Sequence, residues 1–359
     1  MDTLLSHTTA LELLRSYALR RRLMRCPRTG AEPPALPPNR EDVELIVQRL
    51  PDLTLPLHVT VNNRNHRGPR GVVTTHVTNV FLPPDSTIVI AKGIRCVSPE
   101  HLVVQMAPML SLLELVFLLG EMLGTYAICP SHEDGMFTRE APLTTKERIL
   151  AHLDALGPSR GAGLVRRALP LACEGSASPY ETKLSMRLGL KPALGGYHLN
   201  VLAMNEPIKV ARLGSRLGEG VRKPDVLLGA CEASAPYSGV SFDYNGRVHE
   251  LPGSLERDIR RQNELLAIGF KNYVLTKALY DDLDYMDDIV ARARIDLGLP
   301  RLHLMRDESM RRRRLRLALY LELERMDGVT WHGKESGPCA EGVCPVYEEP
   351  FVEVVPIEA

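Results

Sequence analysis

Two aspartates, each beside a short apolar run, are the residues in this chain best placed to do chemistry. Val240-Ser241-Phe242-Asp243 reads as a buried strand ending in an acid, and Tyr244-Asn245-Gly246 then turns the chain toward His249. Upstream, Lys223-Pro224-Asp225-Val226-Leu227-Leu228 has the same character. Two carboxylates on adjacent strands form a hard-oxygen pair that suits a divalent cation, and a cation held there is the centre of a hydrolytic site. Taken singly, an aspartate at a strand end is also an ordinary turn or cap residue. His249, an imidazole four residues past Asn245, can protonate a leaving oxygen or hold a phosphate; its other reading is a structural histidine capping the strand turn.

The elements that must position these groups can be read on either side. Ser178-Pro179-Tyr180-Glu181 combines an N-cap serine, a proline at the first helical position and a glutamate at the third, which predicts a helix to about Leu188 before Gly189. Strands follow over 197–204, 225–228 and 239–244. A helix runs from about Ser254 to Gly269, then a strand over 272–276 and an acidic helix over 280–293. The order is helix, three strands, helix, strand. In the second helix Leu255, Ile259 and Leu266 mark an apolar face, with Arg257, Arg260 and Arg261 beside it. Those arginines can grip a phosphate backbone, or they can form intrahelical ion pairs, Arg261 with Asp258 and Arg260 with Glu264.

Composition limits the alternatives. The chain has 359 residues, 44% of them apolar, enough for two or three domains with ordinary cores. Its 44 basic and 44 acidic residues give a formal net charge of zero, so a nucleic-acid surface has to be a local patch. Seven scattered cysteines suit a reducing interior, and the expected location is cytoplasmic. The longest apolar stretch, 102–128, contains Pro108, Glu114 and Glu121, costly groups in hydrocarbon; a buried helix over 110–123 is expected and no membrane span. Residues 1–50 read as a helix over 9–24 and a proline-rich arm over 27–40. An α+β domain follows over 51–140, in which 62–70 reads as a basic hairpin loop. A helical connector spans 141–175, with one helix capped at Thr144-Thr145-Lys146-Glu147 and stopped at Gly157. Residues 176–298 carry the aspartates, and 299–359 form a basic helix, with Arg311-Arg312-Arg313-Arg314, and an acidic tail. Cys339, Cys344 and His332 lack zinc-knuckle spacing.

The set Ser178-Pro179-Tyr180-Glu181, Pro224-Asp225, Asp243-Tyr244-Asn245-Gly246-Arg247-Val248-His249 and Arg257-Asp258-Ile259-Arg260-Arg261-Gln262-Asn263 resembles the very-short-patch-repair-like endonuclease domain of the PD-(D/E)XK superfamily. The resemblance covers about 110 residues, and 57–174 more weakly resembles the middle of actinobacterial proteins related to abortive-infection antitoxins. It implies an α/β fold, a C-terminal restriction-endonuclease-like core preceded by the α+β domain, and hydrolysis of DNA phosphodiesters in repair or defence. It also implies Mg²⁺ or Mn²⁺ on Asp225 and Asp243, Glu181 assisting the metal or its waters, and support for the attacking water from the place of Asn245. The family has an acid at that last place, where other superfamily members have lysine; asparagine can hydrogen-bond a water but can neither take its proton nor add charge. The alternative is a catalytically weakened nuclease fold kept as a DNA-binding or antitoxin-like regulatory protein. DNA is then the expected partner, with a toxin-like protein as the second candidate.

Overall fold

A computed structural model describes residues 2–65, 68–78, 80–212, 218–230, 234–246 and 254–333. The chain is mixed α/β, built on open mixed sheets. A six-stranded sheet takes β1 (Thr3–Leu5), β2 (Arg28–Ala31), β3 (Leu57–Val61), β4 (Val73–Val77), β5 (Leu82–Ala91) and β6 (Ile94–Val97), in the order β2-β5-β6-β1-β3-β4. Helices α1 (His7–Leu14), α2 (Arg20–Leu23) and α3 (Arg40–Arg49) lie between its strands in sequence, and α4 (Pro99–Met106) and α5 (Leu112–Met122) follow it.

Several features of this half differ from the sequence reading. The helix expected over 9–24 breaks after Leu14, because the buried Arg15 side chain reaches Glu121 Oε2 at 2.5 Å and the Gly328 carbonyl at 2.6 Å. The proline-rich arm supplies edge strand β2, paired with β5, and buries Pro33, Pro34 and Pro38. β3 and β4 run parallel, so the segment expected to be a hairpin loop is a crossover connection, with its His66 and Arg67 outside the described residues. The apolar stretch splits at the turn around Pro108. Ser111 and Glu114 form a reciprocal capping box at the start of α5, while buried Glu121 pairs with Arg15 and Arg139, which is how two carboxylates sit in an apolar run. Among the described residues no helix is long and apolar enough to cross a membrane.

A small hairpin of β7 (Tyr126–Ile128) and β8 (Met136–Thr138) leads to α6 (Lys146–Leu156) and α7 (Ala162–Ala168). Thr145 caps α6, and Gly157, with φ of 69°, ends it as expected. Then come α8 (Pro179–Gly189), β9 (Val201–Ala203), the hairpin β10 (Ile208–Ala211) and β11 (Glu219–Arg222), β12 (Val226–Gly229), β13 (Gly239–Asn245), α9 (Ser254–Ala267) and β14 (Phe270–Thr276). The sheet order is β14-β13-β12-β9, antiparallel at β9–β12–β13 and parallel at β13–β14. β9 is shorter than the strand expected over 197–204, and the β10–β11 hairpin had no clear alternation to announce it. The acidic helix is two, α10 (Lys277–Asp281) and α11 (Leu283–Asp296), because Asp282 caps the second by accepting from the amides of Asp284 and Tyr285. The basic helix is α12 (Arg306–Arg325).

Among the described residues two large hydrophobic cores result, one under the six-stranded sheet and one between the four-stranded sheet and α8 and α11, beside a small cluster of Ala127, Cys129 and Phe137. α8 and α12 belong to both. Met186 of α8 and Leu190 just beyond it face the first core while Leu184 and Leu188 face the second; Leu319 and Leu323 of α12 enter the first, and Tyr320 packs on the second.

Candidate functional site

β12 and β13 pair antiparallel with Val226 opposite Phe242, and the same register continued by one residue sets Asp225 opposite Asp243. Strand alternation sends Val226, Leu228, Val240 and Phe242 into the second core and turns both aspartates to the other face. There they interlock: the Asp225 amide donates to Asp243 Oδ1 at 3.1 Å, and the Tyr244 amide donates to Asp225 Oδ2 at 2.6 Å. The two residues that sequence spacing joined are therefore brought together at the sheet end where the chain enters β12 and leaves β13.

Glu181 comes to the same end from α8. Ser178 accepts the Glu181 amide at 3.1 Å, fixing the first turn, and Glu181 Oε2 accepts from the Ala177 amide at 2.7 Å and Asn205 Nδ2 at 2.6 Å. The carboxylate thus meets the amide of Ala177, not that of the N-cap Ser178 as a capping box would require, and its charge also reaches the aspartates. Burial, then the negative charges of Glu181 and Asp243, push the Asp225 carboxyl up to about 8; burial raises Glu181 as well, with Asp243 adding to it. Three carboxylates thus share one weakly solvated region.

Their counter-charge is Arg261. Its Nη2 donates to Asp243 Oδ1 at 2.9 Å and to the Lys223 carbonyl at 2.6 Å, and Asn272 Nδ2 donates to Asp243 Oδ2 at 3.0 Å. Arg261, expected on DNA, faces inward because the buried Asp243 is the nearer anion. Arg260 is exposed and pairs with Glu256 at 3.3 Å. The intrahelical pair expected of Arg260 with Glu264 does not form, because Glu264 is fully buried and pairs with Arg222 of the β10–β11 hairpin, while the Asp258 side chain expected to pair with Arg261 lies outside the described residues. The helix is accordingly rotated, burying Leu265 and leaving Ile259 and Leu266 about half exposed. Asn245 is exposed at the end of β13, on the same strand parity as Asp243. His249 and the Arg257 side chain lie outside the described residues.

Among the described residues no three His, Cys, Asp or Glu side chains converge closely enough to hold a metal ion by themselves. Asp225 and Asp243 nevertheless offer two hard-oxygen donors on one face. Mg²⁺ commonly uses one or two carboxylates and completes its shell with waters and substrate phosphate, so this donor set fits such an ion.

Sequence reasoning missed Asn272 and Asn205, which enter through tertiary contact with no local pattern. It also missed an aromatic wall: Tyr180 and Tyr244, the chain neighbours of Glu181 and Asp243, stack at 4.8 Å with planes 5° apart. Lys277 Nζ lies 5.2 Å from the Tyr180 ring centre and is paired with Asp281 and Glu324, bonds that hold its ammonium above the usual lysine range despite opposing desolvation. No protein-family model, curated protein or solved structure matches the chain.

Proposed function

We propose that this protein is a metal-dependent DNA endonuclease or nickase, with the unit from α8 to β14 acting as a restriction-endonuclease-like core of the PD-(D/E)XK type. The observation that carries this reading is the pair Asp225 and Asp243, face to face on antiparallel β12 and β13, with Glu181 of α8 at the same end of the sheet. The chain order α8, β9, β12, β13, α9, β14, with the β10–β11 hairpin inserted between β9 and β12 and with β13 and β14 parallel, supports it.

In this reading Asp225 and Asp243 hold Mg²⁺ or Mn²⁺. The ion, when bound, supplies a site for an activated water and offsets charge on the phosphorus centre as the transition state forms. Glu181, anchored by Asn205 and the Ala177 amide, orients the attacking water, and Asn245 hydrogen-bonds it from the strand end. The water oxygen would bond to phosphorus as its proton passes to solvent, the bond to one sugar oxygen would break, and that oxygen would take a proton from solvent. Arg261 shares Asp243 with the ion and keeps its carboxylate in place.

One observation favours a second reading. Asp243 already has a full set of protein partners in Arg261, Asn272 and the Asp225 amide, so the pair is satisfied without metal, as in a nuclease fold retained for DNA binding or an antitoxin-like role. The test is to incubate the full chain with supercoiled and single-stranded DNA and Mg²⁺ or Mn²⁺, beside Asp225→Asn and Asp243→Ala. Metal-dependent nicked or shortened products made by the parent protein and lost in both variants support the nuclease. Equal outcomes for all three proteins overturn it.

A further inference from the structure

A cleft of about 700 Å³ is lined by residues from both halves of the chain. Tyr17 and Arg20 stand on one side, Tyr180, Tyr244 and Lys277 on the other, and His132 and Phe137 from around the β7–β8 hairpin line it as well. Tyr17 is 43% exposed, a large ring left open to solvent although Phe137 packs edge-on against it at 5.2 Å. The Arg20 guanidinium lies 3.6 Å over its centre, a flat cation on a flat ring. A second hollow of about 390 Å³ shares Arg20 and Thr138 with the cleft, and Arg21, Arg25 and Arg139 help to line it. Arg21 faces Glu140 at 3.8 Å, but both side chains are largely exposed, so that pair holds the arginine only weakly. In a chain of zero net charge, cations here are concentrated next to partly exposed tyrosines.

We propose that this cleft binds single-stranded DNA, with unstacked bases laid on Tyr17 and on the Tyr180–Tyr244 pair and with the backbone following Arg20, Arg21 and Arg25. Aromatic faces recognise bases only when these are not already stacked in a duplex, and arginines beside them neutralise the phosphates. Tyr180 and Tyr244 adjoin Glu181 and Asp243 in the chain, so the cleft shares the ends of α8 and β13 with the carboxylates, although strand alternation turns Tyr244 and Asp243 to opposite faces of the sheet. The inference rests on the nuclease reading for its purpose and specifies that reading's substrate; its test does not depend on cleavage.

Binding is measured by fluorescence anisotropy with the full chain in EDTA, where no metal-assisted cutting occurs, on labelled oligonucleotides of about twelve nucleotides, within the usual span of single-strand sites. The single strand is expected to bind at least about tenfold tighter than the matching duplex, and Tyr17→Ala to weaken it by roughly tenfold, as for one lost stacking contact, while Tyr17→Phe keeps it. Replacing Arg20, Arg21 and Arg25 by alanine should flatten the salt dependence. A parent protein that binds the single strand in EDTA but makes no metal-dependent product when Mg²⁺ or Mn²⁺ is restored tells against the nuclease chemistry alone and leaves the single-strand site standing. Equal affinity for duplex and single strand, tighter binding of an oligouridylate RNA, or a correctly folded Tyr17→Ala with undiminished affinity overturns the proposal.

Discussion

At the scale of residues, the aspartate pair is a local conflict that the fold tolerates. Asp225 loses hydration and faces two other carboxylates, so its ionised form opposes folding. Asp225→Asn keeps an oxygen for the Tyr244 amide and removes the charge; it should raise stability by about 1–2 kcal/mol near neutral pH, read as a higher Tm or denaturation midpoint. Arg261→Ala has the opposite sign. It leaves Asp243 buried beside like charge, and a loss of about 1–3 kcal/mol is expected in urea unfolding, less than for a fully buried pair because Arg261 is partly solvated. Asp225 and Asp243 were legible because each ends or begins an apolar run, a one-dimensional signal. Arg261 was legible as a cation but not by direction, since the α9 face it occupies is set by Glu264 reaching back to Arg222. Asn272, opposite Ser241 in a parallel pair, had no sequence signal at all.

Among elements, capping was the most readable feature. Ser178 and Gly157 act where the sequence placed helix ends, and Thr145 caps α6 one residue beyond the Thr144 that heads the expected box, because these residues work through bonds to amides only a few positions away. Ser178→Ala should cost about 1 kcal/mol and loosen Glu181, measurable as reduced Tm together with altered amide exchange at the start of α8. Strand partners were unreadable for the complementary reason: whether β3 and β4 run parallel or antiparallel depends on where a connection goes. That six-stranded unit also gathers histidines. His58 Nδ1 lies 3.0 Å from His76 Nε2, the His76 ring stacks on His7 at 3.5 Å, and His101 meets His152 at 3.1 Å. Burial first, then mutual repulsion, takes His7 and His101 down to about 3 and His76 to about 4, with His58 and His152 also lowered by burial. These folded-state values lie below the unfolded one near 6.5. Their contribution is therefore complete above that pH and is lost as pH falls through 6 toward 4 and 3, by up to about 1.4 kcal/mol per pH unit for each neutral histidine. Asp225 and Glu322, with raised values of about 8 and about 7, titrate in the opposite sense. The measurement is accordingly comparative: His101→Gln should flatten the fall of Tm between pH 7 and 5, and an unchanged slope would refute the assignment.

For the whole molecule, α8 and α12 decide how the two cores behave. Each places side chains in both, so the cores share supports. Leu323→Ala, at a fully buried position, should cost about 2–5 kcal/mol and lower one common unfolding transition; two separated transitions would show that the cores melt independently. Composition alone indicated a chain large enough for more than one core, but not that a basic-looking helix would join them, because the arginines of α12 obscure the sparse line of Leu315, Leu319 and Leu323 that it buries. The place of that helix in the chain matters during synthesis. The first core receives most of its side chains from residues that leave the ribosome early, whereas Leu319, Leu323 and Met326 emerge last among its members. Until they do, the nascent chain carries uncovered apolar surface, and holding by a chaperone should be most prolonged when translation stalls before α12.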